Sequence, residues 1–593
     1  MNPAILVDSL LGWIRNKPFW VLLPLLGLHL GYYFWAGPFF AGSDDLAYAQ
    51  IADSIRAGTY QLKPHMFYNR FGATAITAII FQIFGINLYT TTLWPLLCSL
   101  LLVVAVHQVT ARIFGGLAGF FAGLLVATNP MHITYALMLM TDGPLSLMTF
   151  LSAAFLYFAR QAQSSRHQIS LGMLFSLFFT LAFISKCSVL WAFPFIVGLM
   201  LFDLIHKRHV RMWLAISLSG TVLALLYFGT YYVYTGNVLY RFSGVDQLFD
   251  PNNQLNAKQA RDYFINKPLS DYIKRLTYQP LQMFFATPSI IIPLLLAWPA
   301  LLHPFRTSKT LPDSVRFWAF FSWSIILSFW FGSNSTHYYT PFGLYDYYML
   351  PVTPILCLLG GVILATLTET VLQTGQGNRL LWILTSVIVL VVPIQKLLMN
   401  EKLGIVLIGL PLIVLALGAR LLQNPLWKQS LLPAGVIVMI AILYPMVPAV
   451  PIWRGYIGET SVQKAERYLI QKYMANPSTP TIILTDHRTP KVIKYYLSFN
   501  PPPSLRLINW EDAAKIAIQK QERIIYFVHK GRLQALMGTY NQTIPEFVRK
   551  PPSDWQLLES RQGISVYEAR QIIEPSSRRG VPLFDATKPI SIN

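Results

Sequence analysis

The sequence is poor in charged residues, and this scarcity excludes most soluble protein classes. Only 12% of its 593 residues are charged, about half of the share that is usual in soluble domains. A water-soluble chain of this length could not cover its surface with so few charges. The hydrophobic content of 54% and the mean hydropathy of +0.46 also indicate a chain that is not water-soluble. We therefore predict a polytopic membrane protein.

Cysteine is also scarce, and two further signals are missing. Cys98, Cys187 and Cys357 all lie in apolar stretches, which predicts buried thiols without a disulfide framework or metal-type spacing. The sequence has no internal repeat of fixed period and no glycine-rich phosphate-binding fingerprint.

The charge that is present is one-sided. Lys and Arg number 46 against 26 Asp and Glu, which gives a formal net charge of +20. In a soluble protein this excess would suggest nucleic acid. In a membrane protein it indicates cytoplasmic loops, anionic headgroups or phosphorylated lipids. We therefore predict membrane lipids, and no nucleic acid, as partners.

Long apolar runs predict a mainly α fold, a polytopic membrane helical bundle with about thirteen spans of ~20 residues. The predicted spans cover 18–36, 89–111, 114–130, 143–159, 170–186, 189–206, 212–235, 287–303, 317–333, 349–367, 380–398, 403–421 and 431–449. The first follows Arg15 and Lys17 without a clear cleavage site, so we interpret it as an uncleaved anchor.

One short segment decides the topology. Phe71–Gly85 is apolar but only about fifteen residues long, the length of an interfacial or re-entrant helix. If it does not span, the predicted cytoplasmic loops are consistently basic, as the positive-inside rule requires. We therefore predict a multi-pass protein of a bacterial-type inner membrane, with a cytoplasmic N-terminus and outer loops at 37–88 and 236–286.

The composition changes to that of a soluble domain near residue 452. Strand-like runs at 482–484, 505–508 and 524–528, with a final pair near 555–558 and 564–567, alternate with helix-like segments. This alternation predicts a small extracytoplasmic α/β domain. The predicted domains are thus a transmembrane module over 1–451 and the α/β domain over 452–593, which serves acceptor recognition or stability. Asp486-His487-Arg488, after its first strand, is either a turn and cap or a ligand contact.

The first outer loop contains the segment richest in polar side chains, GSDDLAYAQIADSIRAG. Ser43 or Asp44 can cap a helix in which Tyr48 belongs to one apolar stripe. Such a helix lies along the membrane surface. Its acidic pair, Asp44 and Asp45, is either a simple cap or a functional pair.

Other ionisable side chains fall on the same predicted face. Asp142 begins a span, Lys186 ends another, Arg70 precedes the short apolar helix, and the tract Thr336–Tyr348 contains His337 and several tyrosines. Taken singly, Asp142 is explained as a helix cap and Lys186 as a snorkelling side chain. Together at one membrane edge they predict a functional site.

Several short motifs resemble the GT-C glycosyltransferases, in particular the branch of protein O-mannosyltransferases and aminoarabinose lipid A transferases. They are D-D-x-x-Y-A-x-I-A at 44–52, G-T-Y at 58–60, F-Y-N-R at 67–70, F-G-I-N at 84–87, T-D-G-P-L at 141–145, S-K at 185–186 and Y-Y-M-L-P-V-T-P at 347–354. Their order covers roughly the first 370 residues. The resemblance implies an integral-membrane transferase that uses a polyprenyl-phosphate sugar.

The resemblance also implies roles for individual residues. Asp44 would be the catalytic base, Asp45 stands where the family often has Glu, Asp142 matches the acidic residue of the second outer loop, and Arg70 stands where the aminoarabinose branch usually has Lys. The sequence departs from the family in two places. It lacks the Pro-Pro-Leu that often follows the basic residue, and Tyr347-Tyr348 replaces the frequent Arg-Tyr.

The chemistry of such a transfer can be argued from the reactants. A sugar phosphate already has a good leaving group, so one carboxylate that takes the acceptor's proton suffices, and fixed cations stabilise the departing phosphate. We assign Asp44 as base, with inversion at the anomeric carbon, and predict that no cofactor is required. A divalent cation on Asp44 and Asp45 remains an alternative. The predicted phosphate ligands are Arg70, Lys186 and His337, and the predicted substrate contacts are Tyr48, Tyr68, Tyr345, Tyr347 and Tyr348.

Two hypotheses from other functional classes compete with the transferase hypothesis. A transporter or flippase of a lipid-linked or anionic substrate would show two related halves and broken spans near the midplane. A scaffold or sensor would bind lipid phosphate through its soluble domain. The sequence leaves open whether a transferase's acceptor is a lipid, a glycan or a protein.

Overall fold

The computed structural model describes residues 18–39, 44–243, 268–305, 311–333, 339–374, 385, 461–486, 488–510, 522–533 and 551–569. The helices that precede the C-terminal region are α1 Pro18–Ala36, α2 Asp44–Arg56, α3 Phe71–Phe84, α4 Leu88–Phe114, α5 Gly116–Ala127, α6 Pro130–Ala136, α7 Asp142–Gln161, α8 Ser165–Ser185, α9 Phe193–Ile205, α10 Val210–Thr235, α11 Leu269–Leu276, α12 Gln279–Ala286, α13 Pro288–Leu302, α14 Ser314–Phe331 and α15 Thr353–Thr374. Apart from Thr385, the spans predicted at 380–398, 403–421 and 431–449 lie outside the described residues.

Eight helices in the described part of the chain are long and apolar enough to cross a membrane. They are Phe19–Ala36, Leu88–Phe114, Asp142–Gln161, Ser165–Ser185, Cys187–Ile205, Val210–Thr235, Ser314–Phe331 and Thr353–Val371. Each coincides with a predicted span. The prediction of a multi-pass helical membrane protein is therefore confirmed.

Two predicted spans have a different form. The one predicted at 114–130 is a pair of helices, because α5 ends at Ala127 and α6 begins at Pro130 after a bend of 58°. Proline lacks the backbone N–H that would continue α5, and the Asn129 side chain caps α6 instead. The span predicted at 287–303 is the shorter apolar helix α13. The segment Phe71–Gly85 forms α3, which has 14 residues and the length of the predicted interfacial helix.

Ion pairs fix both ends of α7. At its end, Arg160 donates two hydrogen bonds to the carboxylate of Asp203 on α9, at 2.8 and 3.0 Å. At its start, Asp142 pairs with Lys186, which follows the last residue of α8. Ionised groups at a membrane edge are costly unless they are paired. These two pairs therefore hold α7 against its neighbours.

The C-terminal region contains a five-stranded sheet. Its elements are α16 Ser461–Met474, β1 Thr481–Thr485, α17 Thr489–Tyr496, β2 Leu505–Asn509, β3 Arg523–His529, β4 Gln556–Arg561 and β5 Ile564–Ala569. The strand order is β2-β1-β3-β5-β4. Strand β1 pairs in parallel with β2 and with the central strand β3, while β5 is antiparallel to β3 and β4. The small α/β sheet predicted from the sequence is confirmed.

Asp486 holds the turn between β1 and α17. Its carboxylate accepts hydrogen bonds from the backbone N–H groups of Arg488 and Thr489, at 2.8 and 2.9 Å, and from the Thr489 hydroxyl at 2.5 Å. These bonds satisfy donors that the start of a helix leaves without partners. Of the two roles considered for this segment, Asp486 has the turn and cap role, and His487 lies outside the described residues.

Candidate active site

The surface helix α2 turns its acidic start and its apolar stripe toward the protein. Tyr48 and Ala52 are completely buried, and Asp45 is 1% exposed. The Asp45 carboxylate accepts the backbone N–H of Leu46 at 2.9 Å. On the outer side of the same helix, Asp53 pairs with Arg56 at 2.6 Å. The predicted amphipathic helix is therefore present, and it begins at Asp44.

Arg70 immediately precedes α3, and its side chain contacts α2. Its guanidinium donates a hydrogen bond to the Tyr48 hydroxyl and a second one to the sulfur of Met66 at 3.2 Å. It also lies 5.8 Å from the ring centre of Tyr48 and 5.4 Å from that of Phe67, within cation–π range. Arg70 itself is half-buried. The predicted residues Tyr48 and Arg70 thus form one unit.

A glycine brings Arg70 and Lys186 to the same place. A Cβ added to Gly72 would lie 2.0 Å from the hydroxyl oxygen of Ser185 and 2.9 Å from its Cα. The start of α3 and the end of α8 therefore approach closely only because residue 72 has no side chain. Since Arg70 stands two residues before this contact and Lys186 one residue after it, the contact brings the two cations onto one face.

Asp142 and Lys186 form a buried ion pair. Lys186 Nζ lies 2.7 Å from Asp142 Oδ1, and the side chains are 9% and 1% exposed. Asp142 is the first residue of α7, where the helix dipole favours a negative charge. Its second oxygen, Oδ2, is buried without a hydrogen-bond partner among the described residues. A buried carboxylate oxygen without a partner is costly, so this oxygen is a candidate for contact with a bound ligand.

Two tyrosines hold Lys186 from the other side. Its ammonium lies 4.6 Å from the ring centre of Tyr347 and 4.8 Å from that of Tyr348. The Tyr347 ring stacks on that of Tyr345, with centres 5.3 Å apart and planes 8° apart. Gly343 leaves room for this arrangement, since a Cβ there would lie 2.5 Å from the Tyr345 ring. The tyrosine pair that departs from the family pattern therefore contacts the buried lysine.

The charges on this face act on Asp44. Burial raises the pKa of the Asp44 carboxyl above its ordinary value, and the nearby charge of Asp142 raises it further. The positive charges of Arg70 and Lys186 act in the opposite direction. A carboxylate with a raised pKa holds a proton more readily, which is the property of a general base that works near neutral pH.

The other predicted residues are placed differently. Tyr68 lies within the first outer loop and contacts other residues of that loop. Its backbone oxygen accepts a hydrogen bond from the Tyr60 hydroxyl at 2.6 Å, and its ring centre lies 5.5 Å from Lys63 Nζ. The phosphate ligand predicted at His337 lies outside the described residues. The described residues contain no group of three His, Cys, Asp or Glu side chains that could hold a metal ion.

Sequence reasoning missed two charged residues at this face. Arg241 is 3% exposed and donates hydrogen bonds to the Phe183 oxygen at 2.5 Å and to the Cys187 sulfur at 3.1 Å. It also donates to the Asn69 oxygen and the Tyr227 hydroxyl, so it ties the Arg70 loop to α8 and α10. Asp346 stands between Tyr345 and Tyr347 in the sequence, and burial raises the pKa of its carboxyl. Arg241 follows the end of a span, so the criterion that selected Lys186 also applies to it.

A groove of about 440 Å³ borders the site. Its lining consists of Tyr60, Leu62, Phe71, Tyr227, Thr230, Tyr231 and Tyr234. Phe71 directly follows Arg70 in the chain, so part of the lining belongs to the segment that carries Arg70. Tyr234, on the membrane helix α10, is 79% exposed. The lining therefore includes both the chain neighbour of Arg70 and an exposed residue of a membrane helix.

The arrangement of the described elements is similar to the GT-C fold. A surface helix with an acidic start lies beside a bundle of membrane helices, and an acidic residue at the start of a later membrane helix faces it. Residues 71–234 match the family model of dolichyl-phosphate-mannose-protein mannosyltransferase. The predicted resemblance to this superfamily is confirmed.

Two solved structures show the same fold over nearly the whole chain. One is ArnT from Cupriavidus metallidurans in the apo state, with 16% identity, a TM-score of 0.54 and coverage of 93% of this chain and 97% of that one. The other is ArnT from the same organism bound to undecaprenyl phosphate, with 15% identity, a TM-score of 0.57 and coverage of 93% and 98%. No curated protein sequence matches the chain.

Proposed function

We propose that this protein is an integral-membrane glycosyltransferase that moves a sugar from a polyprenyl-phosphate donor to an acceptor hydroxyl or phosphate on the extracytoplasmic face. The observation that carries the proposal is the grouping of Asp44 with two cations, Arg70 and Lys186, beside an Asp142 oxygen that has no hydrogen-bond partner among the described residues. Asp142 and Lys186 form an ion pair, and the charges of Arg70, Lys186 and Asp142 all act on Asp44. One base and fixed cations are what displacement of a phosphate leaving group requires.

In the proposed reaction the acceptor oxygen attacks the anomeric carbon while Asp44 takes its proton. The bond from that carbon to the phosphate oxygen breaks, and its electron pair leaves with polyprenyl phosphate. Attack from the side opposite the phosphate inverts the anomeric configuration. Arg70 is half-exposed whereas Lys186 is buried, so Arg70 contacts the phosphate and Lys186 acts through its field.

The groove next to Arg70 suits the donor's isoprenoid chain. Its lining is mostly aromatic, and it leads from Phe71 to the exposed Tyr234. A phosphate at Arg70 would place the attached chain at this opening. Undecaprenyl phosphate, the ligand of one ArnT structure, has this combination of a single phosphate and a long apolar chain.

The test is transfer by the purified protein in liposomes. A panel of radiolabelled undecaprenyl-phosphate sugars is supplied with lipid, glycan and peptide acceptors, and the products are identified by mass spectrometry. We expect one donor to give a covalent product with inverted configuration. Asp44→Asn should lower turnover by about 10²–10⁴-fold, the usual contribution of a general base. Asp53→Asn, on the outer side of the same helix, is the matched control and should keep wild-type turnover.

Two outcomes would contradict the proposal. Full turnover in Asp44→Asn would remove Asp44 as the base. Exchange of labelled lipid across the liposome membrane without any covalent product would establish a flippase instead.

A further inference from the structure

The surface helix α2 is held from two sides. Its buried residues Leu46, Tyr48 and Ala49 share one apolar cluster with Phe81 of α3. The same cluster includes Val492, Ile493 and Tyr495 of α17, together with buried side chains of α16 and the sheet. The helix that begins with Asp44 therefore lies between the membrane module and the C-terminal region, and it contacts α17 directly.

Hydrogen bonds strengthen this attachment. The hydroxyls of Tyr495 and Thr91 lie 2.9 Å apart, and both residues are buried. The Thr91 hydroxyl donates its proton to the Asn87 oxygen at 2.7 Å, so the Tyr495 hydroxyl donates to Thr91. Ser498 donates to the Ile86 oxygen at 3.3 Å. The segment that contains α17 is thus fastened to the start of α4 as well as packed on α2.

The position of α2 controls two features of the site. Asp44 is its first residue, and Tyr48, one turn later, accepts the hydrogen bond from Arg70. An isolated helix of 13 residues is only marginally stable in water. Tertiary packing must therefore supply the stability and the placement of α2, and α17 provides part of that packing.

We propose that helix α17 is a positioning element of the transfer reaction, which holds α2 so that Asp44 and Tyr48 face Arg70. This inference rests on the proposed function. It differs from the two roles expected for the C-terminal region, because positioning changes the rate of the chemical step, whereas acceptor recognition changes the KM for the acceptor. A role in stability alone changes neither in the folded protein.

The test compares single hydroxyl deletions in the full-length protein. Tyr495→Phe and Thr91→Val each remove one partner of the bond across the interface and keep most of the side-chain volume. Tyr473→Phe is the matched control, because its hydroxyl donates to Glu559 within the C-terminal region, at 3.1 Å. We expect kcat to fall about 5- to 10-fold in the first two variants, with both KM values within twofold of wild type. The control should match wild type.

A larger change extends the test. Tyr495→Ala removes the ring from the cluster and should lower kcat by about 10²-fold, the scale expected when a reacting group moves by ~1 Å. Tyr495→Trp restores an aromatic ring and should recover part of that loss. Circular dichroism and size-exclusion chromatography show whether each variant is folded. If Tyr495→Ala does not fold, the kcat of Tyr495→Phe tests the positioning role.

The outcomes separate the two proposals. Wild-type kcat in both Tyr495→Phe and Thr91→Val overturns the positioning role while the wild-type enzyme still transfers sugar. A rise in the acceptor KM alone replaces positioning with acceptor recognition. If the wild-type protein transfers no sugar from any donor, the proposed function fails and the positioning role falls with it.

Discussion

Gly72 and Ser185 lie in van der Waals contact across two helices, and no side chain larger than hydrogen fits at residue 72. The contact joins the start of α3 to the end of α8, next to the two cations of the candidate site. A small residue thus sets the distance between groups that belong to different parts of the sequence. The same principle governs close helix packing in membranes generally.

Gly72→Ala should damage the site without touching a charged residue. The new Cβ must push α3 away from α8 and so separate Arg70 from Lys186. We expect kcat/KM to fall at least about 10-fold, since a displacement of ~1 Å can cost as much as 10²-fold. Gly198→Ala on α9 is the control, because its Cβ meets no atom within 4 Å. Ser185→Gly in the Gly72→Ala background should restore part of the activity. Wild-type activity in Gly72→Ala would contradict the role of the contact.

The buried pair Asp142–Lys186 should show strong coupling in its contribution to stability. Asp142→Asn or Lys186→Met alone leaves one uncompensated charge and should cost about 3–5 kcal/mol. The double variant should cost less than the sum of the single costs. Unfolding of the detergent-solubilised variants measures this double-mutant cycle. The exposed pair Asp313–Arg316, at 3.5 Å, is the control and should contribute below ~1 kcal/mol to stability. Additive costs of the Asp142 and Lys186 substitutions would show that the buried pair is not coupled.

The rate of transfer should fall in acid because Asp44 must be ionised to accept a proton. Burial raises the pKa of Asp44, so activity is present above that pKa and is lost as the pH falls through it, at a pH higher than about 4, the range of an ordinary Asp. Arg70→Gln removes a charge that opposes the shift and should move the acid limb of the kcat profile to still higher pH. Arg56→Gln should leave the limb in place. A limb that stays fixed or moves to lower pH in Arg70→Gln would exclude Asp44 as the titrating group.

Filling the groove should discriminate between donors by chain length. Thr230 lines the groove, and Thr230→Trp should raise the KM for an undecaprenyl-phosphate sugar about 10-fold, because the chain loses its apolar contacts. The KM for a donor with only two isoprene units should stay within twofold. Leu214→Trp, at an exposed position of the same helix, is the control. An equal rise for both donors would place the isoprenoid chain elsewhere.

The sequence predicted most of the fold because the signals are local. Apolar length located the eight membrane-spanning helices among the described residues, and the stripe around Tyr48 located α2. Asp142 and Lys186 could be identified because an ionisable group at the end of a span is costly unless it is paired or functional. That reasoning concerns each residue and its immediate neighbours in the chain.

The contacts that complete the site are not local, and the sequence did not reveal them. The approach of Gly72 to Ser185 depends on how two helices cross, and the bond between Tyr495 and Thr91 joins distant segments. Arg241 stands near a span end, but its partners Asn69 and Cys187 are distant in the sequence, so no local pattern marks it as part of the site. The bend at Asn129 was missed because hydropathy does not distinguish a straight helix from a bent pair of helices.

The bond between Thr91 and Tyr495 also has a consequence for biosynthesis. The two residues are 404 positions apart, and a ribosome needs about 20–80 s for that distance at about 5–20 residues per second. During this time the helix that begins with Asp44 has already been made but lacks the α17 side of its packing. The nascent protein therefore completes the packing around this helix only after residue 495 has been made. Products of interrupted translation that end before α17 would contain the membrane helices that precede it without this packing.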